Sequence, residues 1–106
     1  MEKEIEKLFE ACIADYKTFS FRPEMEKEYA EGLSYKIGKK YIKIISNGSA
    51  WGFINIGNPK FKKGDILMAA GWATPALNKA RGNIFEDYVV RWTGPCYLRQ
   101  ESHEFF

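Results

Sequence analysis

Asn47-Gly48 stands between two β-prone runs, "YIKIIS" before it and "SAWGFINI" after it. Asn-Gly accepts the positive φ that both central residues of a type I′ turn require, and that turn matches the twist of a two-residue hairpin loop. A hairpin over residues 41–56 follows. With Asn47 and Gly48 as the loop, Ile44 faces Trp51 and Ile42 faces Phe53, and these four side chains share the expected core face. Tyr41, Lys43 and Ile45 then lie on the other face, across from Ile54, Gly52 and Ala50. That second face is too apolar for open water and too basic for a dry core. It calls for partial cover by a ligand, another subunit or the C-terminal segment. A one-residue slip would exchange the two faces, so the assignment depends on the turn.

The remaining elements are placed around this hairpin. Ile5, Leu8, Phe9, Cys12, Ile13 and Tyr16 follow the three-four spacing of one helix face, which predicts an N-terminal helix packed on the sheet. "SFRPEMEKEYAEGL", residues 20–33, predicts a second, shorter helix. Pro23 suits its first turn, Glu24 and Glu26 favour the positive end of its dipole, and Gly32 can end it. "DILMAAGW" reads as a third strand or a short buried run. Tyr88, Val90 and Trp92 alternate with Val89, Arg91 and Thr93 as a strand does, and Gly94-Pro95 breaks that run. Helices first and strands after is an α+β order. The expected architecture is one domain over residues 1–106, with the helices on a small, mainly antiparallel sheet.

"GWATPALNKARGNIF", Gly71 to Phe85, concentrates unusual residues in a short span. In one reading it is a well-capped short helix over 75–81. Thr74 is the N-cap, Pro75 the first helical residue, and Gly82 the left-handed stop, with Lys79 and Arg81 in the last turn and Trp72 and Leu77 in the core. In the other reading the same segment contacts a ligand. Trp72 stacks on a ring, the helix start offers N–H groups to an anion, and Asn78, Lys79, Arg81 and Asn83 supply further donors. Both readings predict the helix.

Charge bears on the choice. Residues 1–32 carry five bases against nine acids, whereas residues 33–81 carry nine bases against Asp65 alone. The basic block either meets an anion or faces the acidic N-terminal segment, within one chain or across a subunit contact. No segment has the apolar length of a membrane helix, and the charged N-terminus is unlike a signal peptide. A soluble cytoplasmic protein with no membrane partner is expected. Cys12 lies on the apolar stripe, Cys96 stands alone after Gly94-Pro95, and His103 is the only histidine. No metal site and no cofactor are expected from so sparse a set of ligands. Neither a P-loop nor a GxGxxG motif occurs.

Three function classes remain. An enzyme would have to draw on Asp65, Glu86, Asp87 or Cys96; Asp65 reads better as a turn residue, and adjacent Glu86 and Asp87 would point to opposite faces of a strand. A single-stranded nucleic-acid-binding module would use the lysines interleaved with aromatics, Lys39, Lys40, Tyr41, Lys43, Trp51 and Phe53, but the expected register sends Trp51 and Phe53 away from Lys43. The leading reading is a non-catalytic, homo-oligomeric binder of a nucleotide or other phosphate-bearing small molecule, or of a partner protein. Its ligand contacts would be Lys43, Trp72, Thr74, Asn78, Lys79, Arg81 and Asn83. The run "SAWGFIN…FKKGDILMAAGWATPALNKARGNIF", Ser49 to Phe85, resembles small uncharacterised proteins of tailed bacteriophages. It covers about a third of the chain. The resemblance implies an accessory protein made in the cytoplasm of an infected bacterium, of the kind that blocks a host protein or sequesters a nucleotide signal of host defence.

Overall fold

A computed structural model describes residues 1–20, 22–86 and 88–95. Asp87, Cys96, His103 and the C-terminal tail lie outside the described residues. The chain forms helices α1 (Glu2–Phe19) and α2 (Pro23–Glu31). Strands β1 (Leu33–Ile37), β2 (Tyr41–Ser46), β3 (Ser49–Asn55) and β4 (Ile66–Met68) follow, and then the short pair β5 (Val90–Arg91) and β6 (Gly94–Pro95). The four longer strands make one antiparallel sheet in the order β1-β2-β3-β4, and β5-β6 is a separate two-stranded ribbon. The architecture is α+β, as expected. β1 is an additional strand, whose alternation of Leu33, Tyr35 and Ile37 with Ser34 and Lys36 carries the period of two.

Both helices form where their patterns place them. Ile5, Leu8, Cys12 and Tyr16 are the buried residues of α1, and Pro23 starts α2 before Gly32 caps it. The apolar stripe of α1 packs against Ile42, Ile44, Trp51, Ile54 and Ile66 on one face of the sheet. At one end of this core Tyr16 and Tyr29 stack with centroids 4.5 Å apart, and Trp92 meets both edge-on. Among the described residues, three hydrogen bonds fasten the ribbon region to this core. The Trp92 N–H donates to Asp15 Oδ2, the Tyr29 hydroxyl to the Trp92 carbonyl, and Trp51 Nε1–H to the Arg91 carbonyl.

The hairpin turns at Asn47-Gly48, both with positive φ (50° and 78°), as a type I′ turn demands. Next to the turn the register is the expected one, Ser46 opposite Ser49 and Ile45 opposite Ala50. It then shifts. Ile44 pairs with Gly52, Lys43 with Phe53 and Ile42 with Ile54, so a β-bulge places one extra residue, Trp51, on β3. The expected pairs Ile44–Trp51 and Ile42–Phe53 are therefore corrected. Trp51 stays on the core face with Ile42 and Ile44, Ile54 joins them, and Phe53 moves to the second face beside Lys43.

Gly52 gives this bulge its room. A Cβ there would lie 2.8 Å from the Leu67 carbonyl oxygen and 3.0 Å from Pro95 Cγ, closer than real Cβ atoms pack. The glycine lets the ribbon close down on the sheet.

Burial also sets the chemistry of Cys12. Removal from water pushes its thiol from an ordinary 9.0 up to about 12, against the lowering effect of its hydrogen bond with Tyr29. Tyr29 and Tyr88 are raised as well, again chiefly by burial. The unfolded chain releases these protons at lower pH than the folded one. The stability they contribute is complete below pH 9 and falls as pH rises from 9 towards 12. Urea unfolding across that range should show this decline, with a shallower slope in Cys12→Ala. Cys12 should also resist thiol reagents at pH 8 until the chain unfolds.

Candidate functional site

The second face of the sheet carries a cross-strand row. Lys36 lies opposite Lys43, Lys43 opposite Phe53, and Phe53 opposite Leu67. Phe53 and Leu67 are buried, and so is Ile45 on the same face, yet none of the three belongs to the main core cluster. They form a second, smaller apolar layer. Tyr41 packs edge-on against Phe53 at 6.1 Å, its hydroxyl accepting a hydrogen bond from Asn58 Nδ2.

The segment after β4 gives this face part of its cover through Trp72 and Ala73, a source not among those expected. Residues 71–74 make a turn in which the Thr74 carbonyl accepts the N–H groups of Ala70 and Gly71. The chain then returns antiparallel along the outer edge of β4. Pro75 bridges Ala69, Ala76 N–H donates to Met68, Arg81 N–H to Ile66, and Asn83 bridges Asp65. Residues 77–80 bow out between these contacts, and Lys60 Nζ donates to the Leu77 carbonyl.

The expected helix over 75–81 is not formed. A helix so short is marginal by itself, whereas the edge of β4 offers unpaired backbone groups that the returning chain satisfies. The expected core positions also fail, since Trp72 and Leu77 are exposed.

The proposed ligand contacts therefore divide. Lys43 and Trp72 come together, with the ammonium 3.9 Å from the ring centroid, while Trp72 keeps 51% of its surface exposed. Thr74, Asn78 and Lys79 are exposed on the returning segment. Arg81 is only 5% exposed, and Asn83 is buried as well. Asn83 Nδ2 donates to the Lys63 carbonyl and to Asp65 Oδ1, and its Oδ1 accepts the Phe85 N–H. Asn83 thus fastens the sheet edge. Asp65 also accepts the Lys62 N–H through Oδ2, so both its oxygens have structural work in the turn.

Lys39, Lys40, Tyr41 and Phe53, expected only under the nucleic-acid reading, complete the site together with Lys36 and Ala73, which the sequence did not single out. A groove of about 250 Å³ opens over Phe53, lined by Lys36, Lys39, Lys40, Lys43, Tyr41 and Ala73. Lys39 and Lys40 come from the turn between β1 and β2. The signal was present as "GKKY", but it gained meaning only once the bulge had set Phe53 and Lys43 on one face. The helices cover the opposite face of the sheet, so the lysines of this groove do not meet the acidic helices within the chain. Four lysines line the groove above the largely buried Phe53, and with the exposed Trp72 ring at the Lys43 ammonium they can hold an anion with a flat, partly apolar body. Among the described residues no cluster of His, Cys, Asp and Glu could hold a metal ion, and no helix is long and apolar enough to cross a membrane.

Fold and groove together define a small α+β domain with a basic cleft, lined by lysines and aromatics, on the side of its sheet away from the helices. Comparisons of the chain with protein-family models, with curated proteins and with solved structures found no match.

Proposed function

We propose that this protein is a non-catalytic binder of a nucleotide-like, phosphate-bearing ligand, taken up in the groove between the β1–β2 turn and Trp72. The observation that carries this reading is the ring of Lys36, Lys39, Lys40 and Lys43 over Phe53, with Trp72 beside Lys43. Magnitudes favour a ligand with both phosphates and a ring. Exposed ion pairs contribute about 0.2–1 kcal/mol each, so four fall short of the roughly 8 kcal/mol of a micromolar complex. Stacking of a base on an aromatic ring adds about 1–3 kcal/mol. Inorganic phosphate should accordingly bind much more weakly than a nucleotide. In line with the resemblance of Ser49–Phe85 to tailed-phage proteins, the ligand would be a nucleotide signal of a bacterial host, sequestered in its cytoplasm.

Native mass spectrometry and tryptophan fluorescence with a panel of linear and cyclic nucleotides test the proposal. We expect a nucleotide-sized adduct whose affinity falls at least tenfold in Lys40→Glu and in Lys43→Ala, and is spared in Lys63→Glu, outside the groove. No uptake from the panel, or equal loss in all three variants, would overturn it. A second reading, a single-stranded nucleic-acid module, gains from the bulge, which puts Phe53 on the same face as Lys43. An oligonucleotide that binds far more tightly than its mononucleotide, with a steep salt dependence, would favour that reading.

A further inference from the structure

β1 is the outermost strand of the sheet, and among the described residues nothing pairs with its outer edge. The phase of its backbone groups can be worked out. Gly38 N–H donates to the Tyr41 carbonyl at one end of the β1–β2 ladder, and Asn47 N–H donates to the Gly32 carbonyl at the other. In an antiparallel pair, residues turned towards the partner strand alternate with residues turned away. Ser34 and Lys36 therefore use their N–H and C=O groups on β2, and Leu33, Tyr35 and Ile37 direct theirs outward. Ile37 is 70% exposed, the most exposed of the large apolar side chains among the described residues.

We infer that this edge is a homodimer interface in which β1 pairs antiparallel with β1 of a second copy, about a two-fold axis at Tyr35. In that register Tyr35 faces Tyr35 of the second copy, Leu33 faces Ile37, and Ser34 faces Lys36. Outward groups meet outward groups at every pair, giving about six interchain hydrogen bonds. Core-side apolar residues oppose each other, so exposed Ile37 gains an apolar neighbour in Leu33. Neighbouring registers are poorer. Centring on Lys36 sets that lysine against its own copy, and centring on Ser34 leaves Ile37 overhanging; each also loses two hydrogen bonds. The edge is self-complementary in only one way, which is what a two-fold interface requires.

The consequence reaches the groove. Lys36 and Lys43 of the two copies gather on one face of a continuous sheet, with the two Lys36 side chains as diagonal neighbours. Mutual repulsion of these ammonium groups weakens the dimer at low ionic strength, and added salt strengthens it.

Sedimentation equilibrium tests the interface, with circular dichroism confirming the fold of each variant. Ile37→Pro removes an N–H that no intrachain bond uses, at an edge position that tolerates proline, and it removes two interchain bonds from the symmetric pair. Ile37→Lys removes the apolar contact without touching the backbone. Both should raise the dimer dissociation constant at least tenfold. Register is read separately, in a Cys96→Ser background. Ser34→Cys and Lys36→Cys proteins, when mixed, should form a disulfide-linked heterodimer well in excess of either protein's own homodimer. A monomer at every accessible concentration, a dimer indifferent to both Ile37 variants, or cross-linking without preference for the mixed pair would each overturn the inference.

Discussion

Replacing Asn55 by Ala will lower the unfolding free energy by about 3–5 kcal/mol, from the loss of several buried hydrogen bonds at once. Asn55 is 1% exposed and organises the whole connection between β3 and β4. Its Nδ2 lies 3.0 Å from the Asn58 carbonyl, 3.2 Å from that of Phe61 and 3.0 Å from that of Lys62, and its Oδ1 accepts the Asn58 N–H at 2.9 Å. Its backbone also pairs with Asp65 and Gly64. Alanine leaves these loop carbonyls and the Asn58 N–H facing a gap. Asp at the same position should cost about as much, because a carboxylate cannot donate to carbonyls. Asn58→Ala, which removes mainly the bond to the Tyr41 hydroxyl and a turn contact, should cost about 1 kcal/mol. The midpoint of urea unfolding reads all three. Equal, small shifts for Asn55→Ala and Asn58→Ala would mean that the loop closes without this hub.

How legible the fold was depended on whether an element's partners are local. The stripe of α1, the Pro23 start of α2 and the Asn47-Gly48 turn are short-range signals, and each produced its element. The segment 75–81 shows the limit. Thr74, Pro75 and Gly82 are good helix punctuation, but the backbone of Ala76 and Arg81 found partners on β4, which no local pattern can reveal. Trp51 is the other case. A strict two-residue turn predicts its neighbours correctly as far as Ala50. The bulge then reassigns Phe53 and Ile54, and the hydrogen-bond partner of the extra residue Trp51, Arg91, is 40 residues away in the chain, where no local pattern can reveal it.

The candidate site was half legible for the same reason. Lys43 and Trp72 were singled out for their chemistry and do meet. Arg81 and Asn83 were singled out on the same grounds, but they are buried at the sheet edge. Lys39 and Lys40 were singled out only for a nucleic-acid surface, and Lys36 not at all, until the β1–β2 turn placed them around Phe53. Residue type indicates what a side chain can bind; only the register indicates which side chains share a ligand.

Trp51→Ala is expected to cost about 3–5 kcal/mol, the range for removing a large buried aromatic side chain. Two losses combine. The indole is 3% exposed and lies in the core with Ile42, Ile44 and Val90, so its removal leaves a cavity. Its Nε1–H also holds the Arg91 carbonyl at 2.9 Å, and of the three ribbon hydrogen bonds described above those through Asp15 and Tyr29 then remain. Trp51→Phe separates the two effects. It restores most of the volume but leaves the Arg91 carbonyl without its donor, for a cost of about 1–3 kcal/mol. Amide hydrogen exchange locates the damage. Trp51→Phe should loosen Arg91 and Trp92 while α1 and the β2–β3 hairpin keep their protection. Uniform loss across the sheet would mean instead that the bulge itself depends on the indole. In that case Phe53 would return towards the core face, and the groove over it would be lost together with the ribbon.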